Sequence, residues 1–137
     1  MLSPQEIVVD RMLANDHYSQ WLGINLIDVG LGYAKIDMKI RGEMLNGFGI
    51  AHGGISFSFA DSAFAFASNS RGQYAYSVST DINHLQKVFE NDVLFAEAKE
   101  EFYNGKIGKY RVEITNQDQA IVAIFNGMVY VSKKKWE

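Results

Sequence analysis

Cysteine is missing from the chain, and proline appears once, at Pro4. The first absence removes disulfides, thiolate metal centres and cysteine nucleophiles together. The second leaves no proline-rich linker. With no low-complexity stretch or internal repeat either, residues 1–137 are expected to form one domain. Histidine is scarce as well: His17, His52 and His84 stand apart without the spacing of a metal site, so neither a metal nor another cofactor is expected. A net charge of −3 supplies no basic surface for nucleic acid or for an anionic membrane. The opening residues include Pro4, Glu6, Asp10 and Arg11, which is not the pattern of a signal peptide, and a cytoplasmic location is the default expectation.

What the chain does hold is apolar residues, 47% of the total, enough for a sizeable core. Residues 3–15 read as a short amphipathic helix, with Ser3 as cap, Pro4 at the first helical position, and Ile7, Val8 and Met12 on one face. Leu22–Val29 reads as a strand closed by a turn at Gly30–Gly32. Over 34–41, Ala34, Ile36, Met38 and Ile40 alternate with Lys35, Asp37, Lys39 and Arg41, the period of a half-buried antiparallel strand. Further strands are expected over 76–84, 92–102, 107–116 and 120–131, with hairpin turns at Asn104-Gly105 and Asn116–Gln119. The last strand, IVAIFNGMVYV, is apolar on both faces and reads as central.

Between these segments lies an irregular, glycine-rich loop over 42–52, and then the longest apolar run, GGISFSFADSAFAFASNS from Gly53 to Ser70. Its apolar part falls short of the roughly 20 residues a bilayer demands. Its length and alanine content favour a helix over a strand, and apolar residues on every side mean that this helix is buried nearly all round. The order of elements predicts an α+β fold, an antiparallel sheet curling around a long central helix.

Asp61 is the only charged residue in that run. A carboxylate among phenylalanines and alanines costs free energy unless it is paired, hydrated or neutral, and such a group tends toward the raised pKa that a base or acid working near neutrality needs. The helix start supplies the complementary element. Its first amides lack intrahelical partners and carry partial positive charge, and Gly53 and Gly54 have no side chain to keep a substrate away from them. Together they make an oxyanion-hole candidate. Gly53 and Asp61 are eight residues apart, about 12 Å along an α-helix, whereas one reacting carbonyl must lie about 3 Å from its donor. The two residues of one helix therefore cannot serve the same carbonyl. Gly53 of one subunit facing Asp61 of another can, so a catalytic reading of this pattern requires at least a dimer.

The combined pattern Asn46-Gly-x-Gly49-x-x-His52-Gly53-Gly54, Ala60-Asp61-x-Ala63-x-Ala65 and Asn69-Ser70-x-Gly72 closely resembles the PaaI-like (phenylacetate-degradation) hotdog-fold thioesterases over nearly the whole chain. The resemblance implies a hotdog fold, a homodimer or homotetramer with the active site at the dimer interface, and metal-free hydrolysis of acyl-coenzyme A. It implies that Asp61 is the base or nucleophile, that the Gly53 amide polarises the carbonyl, that Asn46 places the water or thioester, and that Ser79 assists the aspartate and water. His52 would organise the loop and pocket, with Gly54 beside it on the substrate side. The acyl group would be aromatic or a medium to long chain. Two departures stand out: Leu85-Gln86-Lys87-Val88 replaces a proline-containing turn, which bears on the coenzyme-binding edge, and Ser62 replaces a frequent threonine, which bears on packing.

Other readings of the same residues stay open. Phe57, Phe59, Phe64 and Phe66 suit a core as well as an acyl pocket. Ser79 also fits one polar face of a strand, with Ser77, Asp81 and Asn83. Lys106, Lys109 and Arg111 suit coenzyme A phosphates or an ordinary exposed strand face, and Lys133–Lys135 reads as a solvated tail. The alternatives to a thioesterase are a hotdog enoyl-CoA hydratase or dehydratase, or a non-catalytic acyl-CoA-binding hotdog domain. The former would pair its aspartate with a nearby downstream histidine, and here none follows Asp61 until His84.

Overall fold

Alternating apolar and polar residues produce six strands in the computed structural model, which describes residues 1–137. They are β1 (Asn25–Gly30), β2 (Tyr33–Lys39), β3 (Gln73–His84), β4 (Val93–Tyr103), β5 (Ile107–Thr115) and β6 (Ile121–Lys135). Every neighbouring pair is antiparallel, in the order β1-β2-β4-β5-β6-β3. The alternation of β2 works as expected: Ala34, Ile36, Met38 and the following Ile40 are fully buried, while Lys39 is exposed. β6 is flanked by strands on both sides but lies one strand in from the sheet edge rather than at its centre.

Two α-helices join the sheet, α1 (His17–Leu22) and α2 (Gly53–Asn69). Helix α2 packs against β2, β3, β4, β5 and β6, and carries the core with it. Phe59, Phe64 and Phe66 are buried, and the Phe57 and Phe64 rings lie 5.4 and 5.5 Å from Phe125 of β6. The helix can press this closely because β6 offers a notch at Gly127, where a methyl group would stand 2.7 Å from the Phe64 ring. The result is the expected α+β arrangement, a sheet wrapped on one long helix. No helix is long and apolar enough to cross a membrane.

The N-terminal segment differs in detail from expectation. Ser3 and Glu6 cap each other reciprocally, each backbone amide donating to the other side chain at 3.1–3.2 Å. The turns that follow are wound as a π-helix over Glu6–Met12 and a 3-10 turn over Leu13–Asn15, with Ile7 and Val8 buried. Where the residue pattern predicts a strand from Leu22, the chain first forms α1. Asp16 caps this helix, accepting from the Ser19 amide at 2.9 Å, and Gly23 ends it at φ +79°, a conformation glycine adopts without strain. Both signals stand in the sequence, but six residues are too few to show a helical period.

Candidate active site

The loop before α2 builds the start of that helix. Asn46 Oδ1 accepts from the amides of Phe48 at 2.9 Å and Ile50 at 3.4 Å, and the Asn46 amide donates to the Ile50 carbonyl at 2.8 Å. A bridge between Leu45 and Ala51 closes the loop. His52 then caps α2: its Nδ1 accepts from the Gly54 amide at 3.0 Å, and its own amide donates to the Met44 carbonyl at 2.9 Å. The Gly54 amide is thereby occupied. The Gly53 amide makes no hydrogen bond within the chain and is the donor left over at the positive end of the helix.

A cleft of about 360 Å³ opens at Gly53, and Asn46, Phe48, Ser56, His84 and Lys87 line it with that glycine. His84 ends β3 directly beside Gly53, where a methyl group would come within 3.2 Å of its Nε2. Neither ring nitrogen of His84 is bonded within the chain. Sequence reasoning passed over this residue because its neighbour lies 31 positions away, and only the pairing of α2 with β3 brings the two together. The Leu85-Gln86-Lys87-Val88 segment, which departs from the resembled family, forms a wall of the same cleft.

Asp61 lines a different cavity, of about 190 Å³, together with Asp16, Tyr18, Ser19, Phe57 and Ser62. Its carboxylate has no hydrogen bond or ion pair within the chain. Burial, and secondarily the negative charge of Asp16, pushes the Asp61 carboxyl above the usual carboxylate range. Ser62 does more than pack, contrary to expectation: buried, its Oγ lies 2.8 Å from that of Ser19, which donates to Asp16 Oδ2 at 2.6 Å. Helix α1, missed in the sequence, thus supplies lining residues of its own. Its Tyr18 donates to Ser58 Oγ at 3.1 Å and also lines a third cavity with His52 and Gly54.

Asn46 and Gly53 therefore meet in one cleft, His52 and Gly54 in another, and Asp61 in a third. Ser79 lies exposed on β3, an edge strand of the sheet, and Lys106 sits in the exposed turn between β4 and β5; neither lines these cavities. Nowhere do three or more potential ligand side chains converge in a metal-binding cluster. A free helix-terminal amide suits a carbonyl gaining negative charge, and a proton-avid carboxylate suits activation of water or direct attack. Acyl transfer calls for both groups, which within one protomer lie in separate cavities.

Comparison with known proteins points the same way. The profile of the thioesterase superfamily matches residues 48–123. The chain is 40% identical to the acyl-coenzyme A thioesterase PaaI of Escherichia coli over 116 residues, covering 85% of this chain and 83% of that one. The solved structure of the E. coli PaaI protein from the phenylacetic acid degradation operon superposes with a TM-score of 0.93 at 36% identity, covering 96% of both chains. The TT0310 protein of Thermus thermophilus superposes with a TM-score of 0.81 at 33% identity, over 85% of this chain and 97% of that one.

Proposed function

The chain belongs to the thioesterase superfamily as a PaaI-like hotdog thioesterase, and from that premise we propose that it hydrolyses aromatic or medium- to long-chain acyl-CoA at a site shared by two subunits. The thioester oxygen accepts from the Gly53 amide of one subunit. Asp61 of the other removes a proton from water as it attacks, and coenzyme A leaves as the thiol. Alternatively, Asp61 attacks the carbonyl itself and expels the coenzyme A thiolate, which takes a proton from water. Water then hydrolyses the resulting anhydride to the free acid and the carboxylate. Asn46 and Ser79 help to place the water and thioester, His52 fixes the loop, and Lys106 is the candidate contact for a coenzyme phosphate.

One observation carries this reading: the unpaired donor and the unpaired carboxylate of a single protomer line separate cavities. Each cavity holds half of the chemistry. A second copy supplies the rest, and β3 offers the surface for it. This twelve-residue strand pairs with β6 on one side only, and its Tyr76 and Val78 are exposed. An open edge of that length is a template for pairing with another strand, and pairing there is the proposed route to a homodimer or a tetramer of dimers.

The test combines a substrate panel with subunit mixing. Thiol release is measured across short, long and aromatic acyl-CoA thioesters, with crotonyl-CoA hydration as the competing reaction. Two inactive variants, Asp61→Ala and Gly53→Pro, are then mixed through unfolding and refolding. A shared site predicts that hybrid dimers regain activity, because one of their two sites keeps both groups. No recovery in verified hybrids refutes the shared site.

A further inference from the structure

The carboxylate nearest Asp61 is itself tied into the site. Asp16 lies at the start of α1 and borders the same cavity, and the Ser19–Ser62 hydroxyl pair links it to the helix turn that carries Asp61. We propose that Asp16 is a positioning residue that sets the proton affinity of Asp61 by holding a second negative charge across their common cavity. The inference rests on the reading of Asp61 as the working carboxylate.

A negative charge facing the same cavity disfavours ionisation of Asp61. Asp16 is the better anchored. It accepts from the Ser19 amide and hydroxyl at 2.9 and 2.6 Å, whereas the Asp61 carboxylate accepts no hydrogen bond within the chain. The other groups around Asp61 leave this balance unopposed. Helix α2 has no other charge between Gly53 and Ser70, α1 presents His17 and Tyr18 near its start, and no basic side chain pairs with Asp61 within the protomer. In the proposed dimer, Asp61 would face the Gly53 amide of the second copy and the His84 ring beside that glycine, and hydrogen bonds donated from there would favour the carboxylate form of Asp61. Asp16 offsets them, and Asp61 stays basic enough to take a proton.

The experiment replaces the charge and keeps the cap. Asparagine and serine both cap helices well, so Asp16→Asn and Asp16→Ser remove the negative charge while α1 stays in place. In each, the acid limb of the kcat/KM–pH profile is expected to move to lower pH by roughly half a unit or more. Ser19→Ala, which cuts the hydroxyl link but keeps the charge, leaves the limb within about a fifth of that. A carbon-13 titration of the Asp61 carboxyl in the same proteins should move in the same direction without any substrate. Limbs and titrations that stay put, or move up, in both neutral variants overturn the proposal. If the wild type releases no thiol from any acyl-CoA, the thioesterase reading fails instead, and the carboxyl titration still decides between Asp16 acting and not acting on Asp61.

Discussion

The two ends of α2 are treated in opposite ways. At its C-terminal end nearly every polar group is matched. Asn69 donates to the Ala65 and Ala75 carbonyls and accepts from the Ala75 amide and the Trp136 indole, and Ser70 accepts from the Gly32 amide. Arg71 grips Glu100 with two bonds of 2.8 and 2.6 Å, and the buried Tyr110 donates to the same carboxylate at 2.7 Å. In the N-terminal half, the Gly53 amide, the Asp61 carboxylate and the His84 ring have no partner in the chain. The helix satisfies its polar groups at one end, whereas at the other it leaves the Gly53 amide and the Asp61 carboxylate unmatched beside others, such as the Gly54 amide, that are paired. The difference separates the end that holds the fold from the end where the proposed site lies.

Variants can break that contrast. The largest effect is expected for Asp61→Ala, with kcat down about 10²–10⁴-fold, the range of a general base. Its thermal midpoint should not fall, since an unpaired half-buried carboxylate contributes no bond. Stopped-flow thiol release and a melting curve on one sample check both halves. Gly53→Pro comes next. Proline is accepted at the first helical position, and His52 already has the extended backbone, ψ +136°, that a residue before proline adopts. The exposed His84 ring must shift to admit the new ring. Little but the N–H is lost, and kcat should drop about 10²–10³-fold, the cost of one oxyanion donor.

At the other end the signature reverses. Arg71→Ala leaves Glu100 and Tyr110 in place without their cation, and should cost about 1–3 kcal/mol of stability, with kcat per folded molecule unchanged. Urea titration followed by an assay of the folded fraction reads this out.

The pH dependence of stability sharpens the contrast and has the smallest expected amplitude. Burial raises the Glu100 carboxyl, but the bonds from Arg71 and Tyr110 outweigh it and leave the pKa below the usual glutamate range. A carboxyl lowered in the folded state stabilises fully above its unfolded pKa, and that contribution is lost as pH falls through the folded value. Asp61 is raised, so its sign is opposite: it costs stability above its folded pKa, and the cost vanishes below the unfolded one. Asp61→Asn should therefore melt higher than wild type at neutral pH and equally at low pH. Arg71→Ala should melt lower at neutral pH, with the gap closing in acid. Melting curves at pH 3 to 8 compare the two.

The N-terminal side of this contrast was legible in the residues, and its C-terminal anchoring was not. Strand periods placed β2 and β5, and the alanine-rich run placed α2 with its lone charge. The geometric argument that Gly53 and Asp61 cannot share one carbonyl needed only the rise of a helix. What escaped was contact made by the tertiary fold. His84 reaches Gly53 because the end of β3 passes the start of α2. Asp16 and Ser19 reach Ser62 because α1 folds against α2, and α1 was too short to announce itself by period. The Ser62 hydroxyl is linked rather than merely packed for the same reason. Such encounters leave no mark on local spacing.

The bare edge of β3 has a consequence beyond assembly. If strand pairing there completes the site, a lone chain can fold and yet be catalytically silent, its donor facing solvent in place of a carboxylate. Rate per chain would then fall on dilution as dimers dissociate. The protein's activity would report how crowded it is with copies of itself, and weakening Tyr76 or Val78 would silence it without touching any reacting atom.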